Sequence, residues 1–494
     1  MRENAVAVVI LALLLIHAVA LGGVFLRQSH WVIHDGWTFT AVLLGEGLAL
    51  FAAELFLLGE ARVLNRPVIG LSTAVMLGLI AWSRPWQSLK GAPDDAVPNA
   101  PGRKRRLIMW ASFAAVFFAV LMVCSHPMLP WEDEYQYHWP AAILWARSHG
   151  WVFSPYRLTN GPALAEMMYT VPALFGSLTA ARLLSITFLL LIAASCASMA
   201  RAIGASPLAA ALVMLSVPVV LFYAPKAHND NLAAGFTLCA YAALLNASTQ
   251  APSGAAIVAA ALAMAAAVST KPFSALAAPG ICAYVLYFGF RRGAGRPARA
   301  RAIARTSRVV AALLVTILIW AAHCYALSGE LWDTRGYTIA QSPSDPMWDS
   351  PLAAGRKPRL IDYVLTPLTF PLKQIAGNPD GFAGYPIGPL LAAFFPLGLF
   401  AIRDMRPDQR TTLYFLIGSA VLYLIILSPT APKTRFHLFV WGVGSVVAAR
   451  GFTSLQRRRP WIAHAGFAVF MSLFAYGVLT GWPYFHSFIR LSSK

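Results

Sequence analysis

Apolar residues run along this chain in long continuous blocks, without the alternation a half-buried strand would show. The blocks lie at 5–26, 38–58, 68–83, 107–125, 179–200, 208–223, 232–247, 255–268, 274–290, 309–327, 384–400, 412–428, 436–449 and 461–482. A membrane-crossing helix needs roughly 20 mostly apolar residues, and tilt or local thinning accommodates the shorter blocks. In lipid only helices and closed barrels satisfy every backbone polar group, and barrel strands alternate apolar with polar. The pattern therefore predicts an all-α polytopic membrane protein, a bundle of about 12–14 transmembrane helices with no large soluble domain.

Composition agrees. Hydrophobic residues are 58% of the chain and charged residues 12%, against about a quarter charged in a soluble domain. The net charge of +19 does not indicate nucleic-acid binding, because the basic residues fall in short clusters between apolar blocks. Arg103-Lys104-Arg105-Arg106, the arginines of 291–308, those of 401–411, and Arg457-Arg458-Arg459 all fall on one face when spans are counted. The positive-inside rule makes that face cytoplasmic. The other face carries outer loops 126–178 and 328–383 and the turns near 224–231, 269–273 and 429–435. The aromatic- and proline-rich loop 328–383 is expected to pack over the outer surface. The segment 291–308 reads as a cytoplasmic loop, and 135–149 as a short surface helix with Trp139 and Trp145 at the interface. The five cysteines show no metal-ligand spacing and predict neither a disulfide nor a zinc site. The block 5–26 reads as a retained span, and Glu46 and Glu54 on neighbouring faces of the second span predict helix packing or an intramembrane function.

The polar residues that look deliberate lie outside. Glu132, Asp133 and Glu134 follow the 107–125 span among Trp131, Tyr135, Tyr137, His138 and Trp139. Carboxylates this close predict at least one raised pKa, a general base, or oxygen ligands for a divalent cation; a solvated acidic turn is the plain alternative. The turn 226–231 holds Asp230, which orients a substrate, ligates a metal or caps the following helix. Lys271 and the Lys433–His437 stretch, with Arg435, put cations on the face that should lack them, which suits an anionic ligand. Acids to activate a hydroxyl, and cations to take the charge of a departing phosphate, suit transfer from a lipid-linked phosphate. No Gly-rich phosphate loop, His-Glu-x-x-His or Gly-x-Ser-x-Gly occurs.

In order and sidedness these residues resemble the GT-C superfamily of integral-membrane glycosyltransferases, which includes the protein O-mannosyltransferases and the lipid A aminoarabinose transferases. The matching motifs are Asp133-Glu134-Tyr135-Gln136-Tyr137-His138, Asn160-Gly161-Pro162 with Glu166, Ala180-Ala181-Arg182-Leu183-Leu184-Ser185, Asp230, Lys271 and Arg435-Phe436. The resemblance covers about 107–450 as a catalytic core, leaving 1–106 as accessory spans and a basic linker, and 451–494 as a final span and tail. It implies inverting transfer from a polyprenyl-phosphate-sugar donor to a lipid or glycan hydroxyl, in a bacterial inner membrane with the site facing the periplasm. By that resemblance Asp133 is the base and Glu134 assists it. Tyr137, His138, Glu166 and Asp230 bind substrate, and Lys271 and Arg435 hold the donor phosphate. A divalent cation, Mg or Mn, is left open, with Glu132, Asp133, Glu134 and Asp230 as its ligand set. The runner-up is a transporter or flippase for a lipid-linked or anionic substrate; charges at span ends and the lack of an inverted repeat weigh against it. A non-catalytic scaffold is the third reading.

Overall fold

Short polar side chains and prolines set where helices begin. Asp35, Asn65, Ser177, Ser206 and Ser253 each accept a hydrogen bond from the backbone N–H three residues on, satisfying a donor the helix leaves open. Prolines 67, 207, 218, 297, 389 and 407 stand in first turns, where a missing N–H costs nothing. The computed structural model describes residues 2–89, 103–124, 133–156, 159–245, 252–291, 295–331, 387–429 and 434–481. The helices are α1 (Arg2–Gln28), α2 (Gly36–Glu60), α3 (Arg66–Ser83), α4 (Arg103–Val123), α5 (Trp139–Arg147), α6 (Leu164–Leu174), α7 (Leu178–Ala202), α8 (Pro207–Leu215), α9 (Pro218–Tyr223), α10 (Asp230–Leu245), α11 (Gly254–Thr270), α12 (Ala278–Phe290), α13 (Arg296–Ser328), α14 (Pro389–Phe400), α15 (Pro407–Leu427), α16 (Leu438–Gln456) and α17 (Pro460–Gly481). Among the described residues there is no strand, only a single bridge between Ile33 and Leu89. Trp131, Glu132, Lys433, the linker 90–102 and most of the outer loop, 332–386, lie outside the described residues, and with them the expectation that this loop covers the outer surface.

Among the described residues ten helical segments are long and apolar enough to cross a membrane, and α10 and α11 are shorter apolar helices. This is a multi-pass membrane protein. Burial separates the centre from the rim: the apolar window of α7 is 89% buried and that containing α16 is 83%, against 22% for α3, α4, α13 and α17. α7 and α16 are central, α8 and α10 are buried beside them, and the rim helices turn apolar faces outward, as lipid requires. α14 lies against α16, α10 against α7 and α11, and α1 against α2 and α3.

Three expectations need correction. The block 208–223 is not one helix: it breaks into α8 and α9, because Pro218 offers no N–H and forces Val217 into an extended conformation. The break lets α9 end at Tyr223. The arginine-rich segment 291–308 is largely helix, since α13 starts at Arg296 and Ala and Arg are strong helix formers. Trp139 and Trp145 do not lie at the interface; both are buried, Trp145 completely, with its Nε1 donating to Val152 O at 3.1 Å.

The N-terminal helices pack against the rest of the bundle through α2 and α1, both of which lie against α7. Trp151 Nε1 donates to Phe56 O at 2.9 Å, and its ring lies where a Cβ on Gly59 would stand. Glu60 contacts His323 of α13 at 2.6 Å. Glu54 pairs with His17 at 3.0 Å and accepts from Ser72, whereas neither oxygen of the buried Glu46 has a hydrogen-bond partner. The bundle has two unlike ends. Arg105 donates to Gln456 at 2.5 Å, Arg450 reaches Gly204 O and Asp404 O, and Arg305 donates to Pro252 O at 2.8 Å. These basic contacts gather at the ends of α4, α10, α11 and α16 opposite Asp230, Lys271 and Arg435.

Candidate active site

Six chain segments converge at that second end. After α4 a π-helical turn, Glu134–His138, leads into α5 and spreads its side chains over more directions than an α-turn would. α6 brings Glu166, the end of α9 brings Tyr223, and the first residue of α10 is Asp230. Lys271 ends α11, and Arg435 lies in the 3-10 turn before α16.

Their side chains form one connected network. Asp133 Oδ2 accepts from Arg435 Nη2 at 2.7 Å and lies 3.3 Å from His228 Nε2. The other ring nitrogen of His228 lies 2.6 Å from Asp230 Oδ2, so the imidazole stands between two carboxylates. Asp230 Oδ1 is paired with Lys271, and its Oδ2 lies 3.8 Å from Arg435 Nε. Arg435 also donates to the Tyr223 hydroxyl at 2.9 Å. Alongside, His138 Nδ1 meets Glu166 Oε1 at 2.5 Å, and Asn229 donates to the same oxygen at 3.2 Å. The His138 and His228 rings meet edge to face at 4.6 Å, and His138 Nε2 is buried without a hydrogen-bond partner.

Glu134 faces a different task. Arg182 grips it with two bonds, Nε to Oε1 at 2.9 Å and Nη2 to Oε2 at 2.6 Å, and Ala227 N–H donates to Oε1 at 2.7 Å. Arg182 also donates to Cys124 O at 3.1 Å. Glu134 therefore ties the end of α4, the start of α7 and the 226–231 turn together, and is not directed at the Asp133 network. Exposure separates the four acids: the side chain of Asp133 is 18% exposed, those of Glu134 and Asp230 are 0% and that of Glu166 is 3%.

The adjacent acids were expected to leave one carboxyl with a raised pKa, and Asp133 is the reverse. Burial works to raise it, but Arg435, the His228 hydrogen bond and the charges of His228 and His138 outweigh burial and hold it well below the usual carboxylate range. Burial lowers the His138 imidazole against the pull of Glu166. Burial, with Asp133 adding to it, pushes the Tyr137 phenol well up. Burial also lowers the Lys271 ammonium, with Asp230 opposing.

The expected oxygen-only metal set does not assemble among the described residues. Glu134 is taken by Arg182, Asp230 by Lys271, and Glu132 lies outside them. Asp133, His138 and His228 do assemble, with donor atoms within 4.8 Å of one another. Two imidazoles and one carboxylate suit zinc-like transition metals better than Mg2+.

Comparison with known proteins bears on what this site is. Residues 137–287 match the family described as alpha-(1->6)-mannopyranosyltransferase, N-terminal domain. That stretch contains Tyr137, His138, Glu166, Asp230 and Lys271 but not Asp133, Glu134 or Arg435. No curated protein sequence matches significantly. Among solved structures, ArnT from Cupriavidus metallidurans in the apo state superposes with a TM-score of 0.50 at 19% identity, covering 77% of this chain and 64% of that one. The same protein bound to undecaprenyl phosphate gives a TM-score of 0.46 at 18% identity, covering 78% and 75%. The chain has the GT-C fold. The superfamily resemblance read from the motifs holds. The GT-C motifs did not single out His228, Tyr223 or Arg182 as site residues. His228 stands two residues before Asp230 in a short polar turn, and Arg182 is a lone cation just inside an apolar block; both were visible signals.

Proposed function

We propose that this GT-C protein is a membrane glycosyltransferase, moving a sugar from a polyprenyl-phosphate-linked donor to a lipid or glycan hydroxyl on the face opposite the basic clusters, the periplasmic side of a bacterial inner membrane. The observation that carries the reading is the exposure of Asp133. It is the one acid of the network that reaches the surface, and two cations stand within the same network. The partial match to a mannopyranosyltransferase family supports sugar transfer.

Asp133 serves as the general base. It takes the proton of the acceptor hydroxyl as that oxygen attacks the anomeric carbon from the side opposite the phosphate, inverting it. The bond from that carbon to the phosphate oxygen breaks, and its electron pair leaves with the polyprenyl phosphate. Arg435 and Lys271 stabilise that developing charge. Arg435 is bound to Asp133 and Lys271 to Asp230. A carboxylate held so low is a poor base. When donor phosphate draws Arg435 away, Asp133 loses its main stabilising charge and becomes basic, so base strength is coupled to donor occupancy. His228 orients Asp133, and Asp230 orients His228. Tyr137, His138 and Glu166 line the acceptor side. Asp133, His138 and His228 would hold a divalent transition metal, which would supply Lewis acidity to the site.

The test uses purified protein in lipid with polyprenyl-phosphate-sugars and a membrane lipid extract, following release of polyprenyl phosphate. Acceptor-dependent release by wild type that Asp133→Asn abolishes is the expected result. Donor crossing the bilayer intact, with no release, would overturn the reading in favour of transport.

A further inference from the structure

A second cavity, of about 550 Å3, opens beside the start of α5, at the same end of the bundle as the network but outside it. Arg66 and Arg147 are its charged lining, the His149 imidazole is a third basic side chain, and Trp139, Ile143 and Leu174 form apolar wall. None of its lining residues is an acid. Three basic side chains without a lining carboxylate are unusual at the end of the molecule where membrane proteins keep Lys and Arg scarce. Two of the three are fixed in place. Arg66 Nε donates to Leu174 O at 2.6 Å, and its guanidinium lies 5.5 Å from the centre of the Phe175 ring. His149 adopts a left-handed φ of 55°, and its Nδ1 lies 3.2 Å from Leu64 O. Holding a non-glycine residue in that conformation has a cost that recurs at ligand-binding positions.

Arg66 belongs to the accessory span α3, whereas Arg147 and His149 follow from the core helix α5. The cavity is thus made where the accessory spans meet the core. We propose that it binds the phosphate of an anionic lipid: the two arginines and His149 take the phosphate oxygens, and the chains run along Trp139, Ile143 and Leu174. Arginine suits phosphate because its planar donors match two oxygens at once, and the apolar wall distinguishes a lipid from a free anion. This assignment does not depend on the transfer reaction.

The experiment is native mass spectrometry of the full chain released from nanodiscs containing phosphatidylglycerol or phosphatidylcholine. Wild type is expected to retain one more tightly bound phosphatidylglycerol than the Arg66→Ala/Arg147→Ala double variant, with at least a tenfold loss of affinity. The Arg66→Lys/Arg147→Lys variant should recover a large part of it. Wild type should show no such preference for phosphatidylcholine, and millimolar inorganic phosphate should not displace the lipid. Equal retention by wild type and the alanine variant, with both equally stable to heat, would overturn the proposal. Displacement by inorganic phosphate would overturn it too, by assigning the cavity to a free anion. If the alanine variant melts early, Arg66→Gln/Arg147→Gln replaces it and is judged by the same retention.

Discussion

At the residue scale, two neighbouring acids do opposite work, and their mutants should separate. Asp133→Asn removes the proposed base, so transfer should fall by about 10²–10⁴-fold with donor binding retained, and with a smaller loss of melting temperature than at the fully buried Glu134, because Asp133 is partly exposed. Glu134→Gln removes the charge that Arg182 and the Ala227 N–H are built around. Breaking one side of a buried pair costs about 3–5 kcal/mol, so this variant should melt early or fail to accumulate; thermal unfolding in detergent distinguishes the two. Acid should destabilise the site in a defined order. Both His138 and Asp133 have folded pKa values below their unfolded ones. Each therefore contributes stability that is present above its unfolded pKa and is lost as pH falls. The His138 loss should begin below about pH 6.5, and the Asp133 loss below about pH 4. Melting temperatures from pH 8 to pH 3.5 measure this; against burial, Lys271 and His228 hold Asp230 low as well, so Asp133→Asn should shrink the lower step and leave the upper one.

At the element scale, the central helices approach closely through small residues, as helices in lipid do. A Cβ on Gly398 of α14 would collide with Val447 O of α16, and one on Gly451 of α16 with Phe394 O of α14. Gly398→Leu should therefore destabilise the protein by about 1–3 kcal/mol or more. Gly418→Leu on α15, where nothing stands within 4 Å, should leave the melting temperature unchanged. The apolar blocks located nearly every helix, because block length and apolarity are local properties. The misread elements were those where a single residue or a partner decided. Pro218 split one block, the Arg- and Ala-rich segment extended α13, and Trp139 and Trp145 are buried, the Trp145 indole N–H meeting the Val152 carbonyl.

At the scale of the whole molecule, the basic ends and the acid–cation network lie at opposite ends of shared helices, which fixes a topology that labelling can check. Glu330→Cys, at the end of α13 near the network, should react with an impermeant maleimide in intact cells. Arg458→Cys, in the basic cluster after α16, should react only after permeabilisation. Both substituted positions are exposed, and four of the five native cysteines are buried. Reaction of both from one side would refute the arrangement. The sequence by itself determined the class and the approximate span count, because hydrophobic length answers to the bilayer one segment at a time; the distribution of Lys and Arg gave the sidedness that the labelling tests. The sequence also supplied Asp133, His138, Glu166, Asp230, Lys271 and Arg435, whose residue types and order were legible. What only the tertiary structure decided was their pairing. That Glu134 turns to Arg182 while Asp133 meets Arg435 and His228, and that Arg66 comes to lie beside Arg147, depends on residues 48, 302, 95 and 81 positions apart in sequence. Such contacts arise only when the helices pack, because a charge taken out of water must find its partner wherever the fold places one.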